Sequence, residues 1–143
     1  MNKIYLEINL HTVNDKVKFV SNSRNNPEIS IDYFPPIGNG EGYTSLELLL
    51  ISISSCISTT ILTLLRRKTH KNVATLKINT KGIVRDEHPK AFTHIQIEMI
   101  FESKDVEEAD VKTALAVSEE KLCPVWAMLK GNVEISVSYI INK

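Results

Sequence analysis

The sequence predicts an α+β domain with the element order βββ-α-ββ-α-β. Three observations predict it. Short runs that alternate apolar and polar residues open and close the chain, a charge-free apolar run of helical length occupies its middle, and an acid-started segment with helical apolar spacing separates the last strand-like runs. A length of 143 residues fits one domain over 1–143, and 43% hydrophobic with 24% charged residues is the balance of a chain that buries a core.

Ile4–Leu10 alternates imperfectly, while Val17–Val20 and Ile29–Tyr33 alternate well. Asn14-Asp15 and the polar stretch Ser21–Pro27 separate them, so an antiparallel meander is expected. Phe34–Tyr43 holds two adjacent prolines and three glycines, through which neither helix nor strand persists. Thr44-Ser45-Leu46-Glu47 has the spacing of a capping box with Thr44 as N-cap, and a helix is expected from about Ser45 to Lys68, ending on Arg66, Arg67 and Lys68. That helix is apolar or small on nearly every face, the pattern of a helix buried all round, and a second subunit would supply cover that one small domain lacks.

Ala74–Val84 and Phe92–Phe101 alternate as strands joined through Arg85–Lys90. A second helix is expected from about Val106 to Lys121, with Val111, Ala114, Leu115 and Val117-Ser118 on one face and an acid-rich first turn. Gly131 breaks the chain before a final strand, Val133–Ile140.

Composition narrows the function. Lys and Arg total 17 against 17 Asp and Glu, with no block of like charge, so the basic surplus that nucleic-acid binding draws on is missing. Met1–Glu7 lacks the long apolar core of a secretory signal, which points to the cytoplasm. There a standing disulfide would be unusual and a transient, catalytic one would not. Leu48–Leu65 runs without a charge and reaches the lower length of a membrane span. Seven Ser or Thr within it (Ser52, Ser54, Ser55, Ser58, Thr59, Thr60 and Thr63) weaken partition into lipid and favour a buried soluble helix.

The two cysteines are the main chemical candidates, and each has two readings. Cys56 can be a small buried core residue, yet Ser52, Ser55 and Thr59 around it on the helix are small and polar, which would let another molecule approach. Cys123 can be an ordinary helix terminus, or, because Pro124 ends the helix, a sulfur placed at a break where it can be reached. Whether the sulfurs meet depends on the fold. A reactive thiol needs help to ionise, since its free pKa is about 8.5. Arg24 is the only arginine before the long helix and is the candidate cation; the alternative reading is a surface turn residue. Glu47 either orients that arginine or caps the helix. His11, His70, His88 and His94 show no ligand spacing, and Gly38-Asn39-Gly40-Glu41-Gly42 lacks the Lys-Ser/Thr of a phosphate loop, so neither a metal nor a nucleotide cofactor is expected.

The segment from Pro35-Pro36-Ile37-Gly38 through Ser45-Leu46-Glu47-Leu48-Leu49-Leu50 to Ser55-Cys56, taken with Cys123-Pro124-Val125, resembles the OsmC/Ohr family of osmotically inducible and organic hydroperoxide resistance proteins. The resemblance implies an OsmC-like α+β fold in an intertwined homodimer, its long central helices buried at the middle. It also implies a thiol-dependent peroxidase in which Cys56 attacks an organic hydroperoxide and becomes a sulfenic acid. Cys123 then condenses with it to a disulfide, and an external dithiol reduces the pair, with no metal, haem or flavin. Arg24 and Glu47 would activate Cys56. The peroxidase branches carry a glutamate at the position of Leu46; here the carboxylate follows at Glu47, a rotation of about 100° on a helix. Glu47-Leu48-Leu49-Leu50 is more similar to a less characterised branch, which keeps open a non-peroxidase that binds a small apolar ligand or partner, or a redox sensor.

Overall fold

A computed structural model describes residues 3–143. Along the chain it forms β1 (Asn9–Thr12), β2 (Phe19–Asn22), β3 (Ile29–Ile31), α1 (Ser45–Thr63), β4 (Thr75–Val84), β5 (Phe92–Glu102), α2 (Glu108–Val117), α3 (Pro124–Leu129) and β6 (Glu134–Asn142). α1 and α2 each run on into a π-helical turn, Leu64–Lys68 and Ser118–Leu122. The expected order is present with one addition, the short α3 between the second helix and the last strand. The chain divides into two compact units, one reaching to Leu49 and one spanning Leu50–Lys143, and the division falls within α1.

In the first unit β1, β2 and β3 form the expected antiparallel meander, with Asn9 opposite Asn22 and Phe19 opposite Ile31. β1 is shorter than its alternation predicts. Its partner β2 has four residues, so residues 3–8 have no ladder to join, and Ile4 and Leu6 stand 91% and 95% exposed. The proline–glycine loop after β3 is organised by a buried carboxylate. Asp32 Oδ1 accepts from the Tyr33 amide at 2.8 Å, and Oδ2 accepts from the amides of Glu41 at 3.1 Å and Asn39 at 3.2 Å. Burial opposes its charge, but these amides and Lys18 together hold the Asp32 carboxyl below the usual range. Gly38 is required by the close approach, since a Cβ there would lie 2.3 Å from both Asp32 Oδ1 and the Tyr33 carbonyl. The loop delivers the chain to α1, whose capping box is reciprocal: the Glu47 amide donates to Thr44 Oγ1 at 3.2 Å, and the Thr44 amide donates to Glu47 Oε1 at 2.8 Å.

In the second unit β5 is the centre of a three-stranded sheet. β4 pairs with it antiparallel and β6 pairs with it parallel, His94 opposite Glu134 through Glu102 opposite Asn142. The parallel pair requires a crossover, and α2 and α3 provide it. Ile95, Ile97, Met99 and Phe101 face inward as their alternation predicts. A bulge at Ile83/Val84 shifts the register so that Phe92 joins the same face, its ring lying over Gly82.

The hydroxyls of α1 do not unwind it because they bond back to its own carbonyls: Ser54 to Leu50, Ser58 to Ser54 and Thr63 to Thr59, each at 2.7 Å. Ser54 also bonds Thr80 of β4 at 2.6 Å. Within one chain the helix is buried along one stripe, Ile53, Ile57, Ile61 and Leu65, all fully inaccessible. On another face Ile51 is 49% exposed, and Ser55, Thr59 and Thr63 follow it into solvent at four-residue intervals. The 24 residues Ser45–Lys68 are long and apolar enough to cross a membrane by length and composition.

Candidate active site

Cys56 lies at mid-length on α1 and is half-buried. Beside it Ser55 Oγ donates to the Ser52 carbonyl at 3.0 Å and Thr59 Oγ1 to the Ser55 carbonyl at 2.8 Å. Both hydroxyls therefore fold against the helix, and the face next to the thiol is lined by short side chains.

Cys123 sits where the π-helical turn ends and α3 begins. Its amide donates five residues back to the Ser118 carbonyl at 2.9 Å, and its own carbonyl accepts from Ala127 at 3.0 Å. Pro124 forces the preceding residue out of the helical region, so Cys123 is extended at φ −83° and ψ 104°. The same proline, with φ preset and no N–H to satisfy, opens α3. Cys123 is 2% exposed, and its Sγ donates to Cys56 Sγ across 2.8 Å. Burial first, and then the hydrogen bond to Cys56, push the Cys123 thiol up to about 11, against the opposing pull of the Trp126 and Val125 amides. Both thiols are free. The pair is well placed for disulfide chemistry, since bonding at about 2.05 Å would need less than about 1 Å of approach.

Arg24 and Glu47 both lie in the first unit. Arg24 is exposed, in a left-handed turn (φ 57°) between β2 and β3. The Glu47 carboxylate is engaged by Thr44, whose amide and hydroxyl both donate to it, at 2.8 and 3.1 Å. Two further residues link the elements that carry the two sulfurs, and sequence reasoning does not single them out. Thr60, four residues after Cys56, donates to Ser118 at 2.8 Å, and Ser118 is fully buried. Thr60 shares a helix face with Cys56, which a four-residue spacing could have shown; its partner across the fold could not be read that way.

A family profile described as OsmC-like protein matches residues 38–138. The chain belongs to the OsmC-like family. Protein YhfA of Escherichia coli (strain K12) is 31% identical over 94 residues, 66% of this chain and 69% of that one. A hypothetical protein from Aquifex aeolicus VF5 superposes with a TM-score of 0.85 at 30% identity, covering 98% of each chain. An organic hydroperoxide resistance protein OsmC from Legionella pneumophila superposes with a TM-score of 0.69 at 11% identity, over 97% of this chain and 98% of that one, a likeness of fold.

Proposed function

We propose that this OsmC-like protein is a cytoplasmic thiol-dependent peroxidase that reduces organic hydroperoxides, with Cys56 as nucleophile and Cys123 as resolving thiol. The observation that carries the reading is the sulfur pair itself, 2.8 Å apart with Cys123 donating to Cys56. The Cys56 thiolate attacks the distal peroxide oxygen, the O–O bond breaks, and the alkoxide leaves as an alcohol after taking a proton. The Cys123 sulfur then attacks the sulfenic sulfur, hydroxide leaves as water, and a disulfide forms. An external dithiol reduces it through a mixed disulfide, returning two thiols and leaving as its own disulfide.

Cys56→Ser should abolish dithiol-dependent consumption of cumene hydroperoxide, measured as loss of peroxide. A rate within about twofold of the parent protein would sink the assignment, because nucleophile removal costs orders of magnitude.

The working form in this reading is a homodimer. Ile4, Leu6, Ile8 and Leu10 alternate along the exposed start of the chain, and Ile51 stands exposed on α1. This much apolar surface calls for a cover, and a second copy supplies it without a membrane. Sedimentation equilibrium in detergent-free buffer should return the mass of two chains; a monomer at micromolar concentration would refute this part.

One observation favours a second reading, a non-peroxidase that binds a small apolar ligand or a partner, or that senses redox state through the same pair. The Glu47 carboxylate is occupied by its capping box, and the position where peroxidase branches carry glutamate is Leu46. Reversible disulfide formation in a folded protein inert to hydroperoxides would select it.

A further inference from the structure

We propose that Thr60 and Ser118 are a positioning clamp that sets the spacing of the two sulfurs; this rests on reading Cys56 and Cys123 as a reacting pair. Thr60 follows Cys56 by four residues, so both project from the same face of α1. Its Oγ1 donates to Ser118 Oγ at 2.8 Å, sharing the proton with the Ile57 carbonyl at 2.9 Å. Ser118 has no accessible surface. A hydroxyl taken wholly out of water is unfavourable unless it is paired, and a core chosen for packing alone would place alanine there, as it does one turn earlier at Ala114.

The backbone of Ser118 completes the link. Its carbonyl accepts the Cys123 amide at 2.9 Å, the five-residue bond of the π-helical turn. One residue is therefore tied by its side chain to the helix that bears Cys56 and by its carbonyl to the residue that faces it. Helical turns of this width are rare and concentrate at functional sites. Here the turn ends on Cys123, which Pro124 holds extended. Thr60 and Ser118 touch neither sulfur in this account; they fix how often the sulfurs lie in bonding position, which is an effective concentration.

The test is a thiol–disulfide equilibrium with glutathione. The Cys56 and Cys123 thiols together give up two electrons and two protons, one S–S bond forms between them, and one oxidised glutathione is cleaved to two reduced ones. Thr60→Val removes the hydroxyl at nearly constant volume and should lower the equilibrium constant for the intramolecular disulfide about tenfold, through lost effective concentration. Ser118→Ala should do the same, and Thr60→Ser, which restores a donor, should return the constant to within about twofold of the parent protein. Thermal unfolding of each reduced variant is followed in parallel, and if Thr60→Val fails to fold, Ser118→Ala, which deletes one oxygen, reads the same constant. A constant unmoved in folded Thr60→Val or Ser118→Ala overturns the clamp, as does a Thr60→Ser value matching Thr60→Val. No peroxide enters this titration, so a chain with the expected equilibria that consumes no hydroperoxide refutes the peroxidase reading alone.

Discussion

Cys123→Ser should leave the first oxidation intact and stop the cycle after it. The substitution keeps a small side chain at the N-cap of α3, a position that serine favours. The fold should therefore survive. What is lost is the sulfur standing 2.8 Å from Cys56. An intramolecular attack from contact distance has an effective molarity far above any millimolar reductant, so sustained turnover with a dithiol should fall by about 10²-fold or more. With one equivalent of cumene hydroperoxide the Cys56 sulfenic acid should accumulate and appear as a dimedone adduct by mass spectrometry. The parent protein should show the Cys56–Cys123 disulfide instead. Undiminished turnover in Cys123→Ser would mean that external thiol resolves the sulfenic acid directly, and the resolving role would have to be abandoned.

What the sequence discloses about this site is set by the range of each interaction. The start of α1 is legible because its determinants are three residues apart: Thr44 and Glu47 close the capping box from within one turn. The inward alternation of β5 is legible for the same reason, whereas α1, which reads as buried all round, is buried within one chain only along Ile53, Ile57, Ile61 and Leu65. β1 is overextended by its alternation because strand length is decided by the partner, and β2 has only four residues to offer. α3 escapes notice because Pro124 reads as a stop signal for the helix before it, while its position at the first helical residue also makes it a start. The meeting of the sulfurs, and of Thr60 with Ser118, is a contact between α1 and the crossover that leads to β6. No local pattern encodes such a contact. Family resemblance supplies the expectation for the cysteines and nothing for the hydroxyls.

The disulfide-forming step should be markedly faster at alkaline pH. Attack on the sulfenic sulfur needs Cys123 as thiolate, and its thiol is pushed up to about 11, by burial before any other cause. Burial survives the oxidation of Cys56, whereas the hydrogen bond between the thiols does not, so the larger cause persists into the reacting state. Below its pKa the thiolate fraction grows about tenfold per pH unit, so single-turnover disulfide formation should accelerate by about that factor per unit between pH 7 and 9, flattening only as 11 is approached. Trp126, the sole tryptophan, is buried three residues from Cys123 and should report the step by stopped-flow fluorescence. The stability of the reduced protein should carry the same signature with a fixed sign. A raised folded value means that the neutral thiol stabilises the fold below the ordinary thiol range, and that this contribution is lost as pH rises through about 11. The alkaline fall in Tm should therefore be shallower in Cys123→Ser than in the parent protein. A resolution rate flat from pH 7 to 9 would show that Cys123 is already ionised when it attacks, and burial would then not be what governs this thiol.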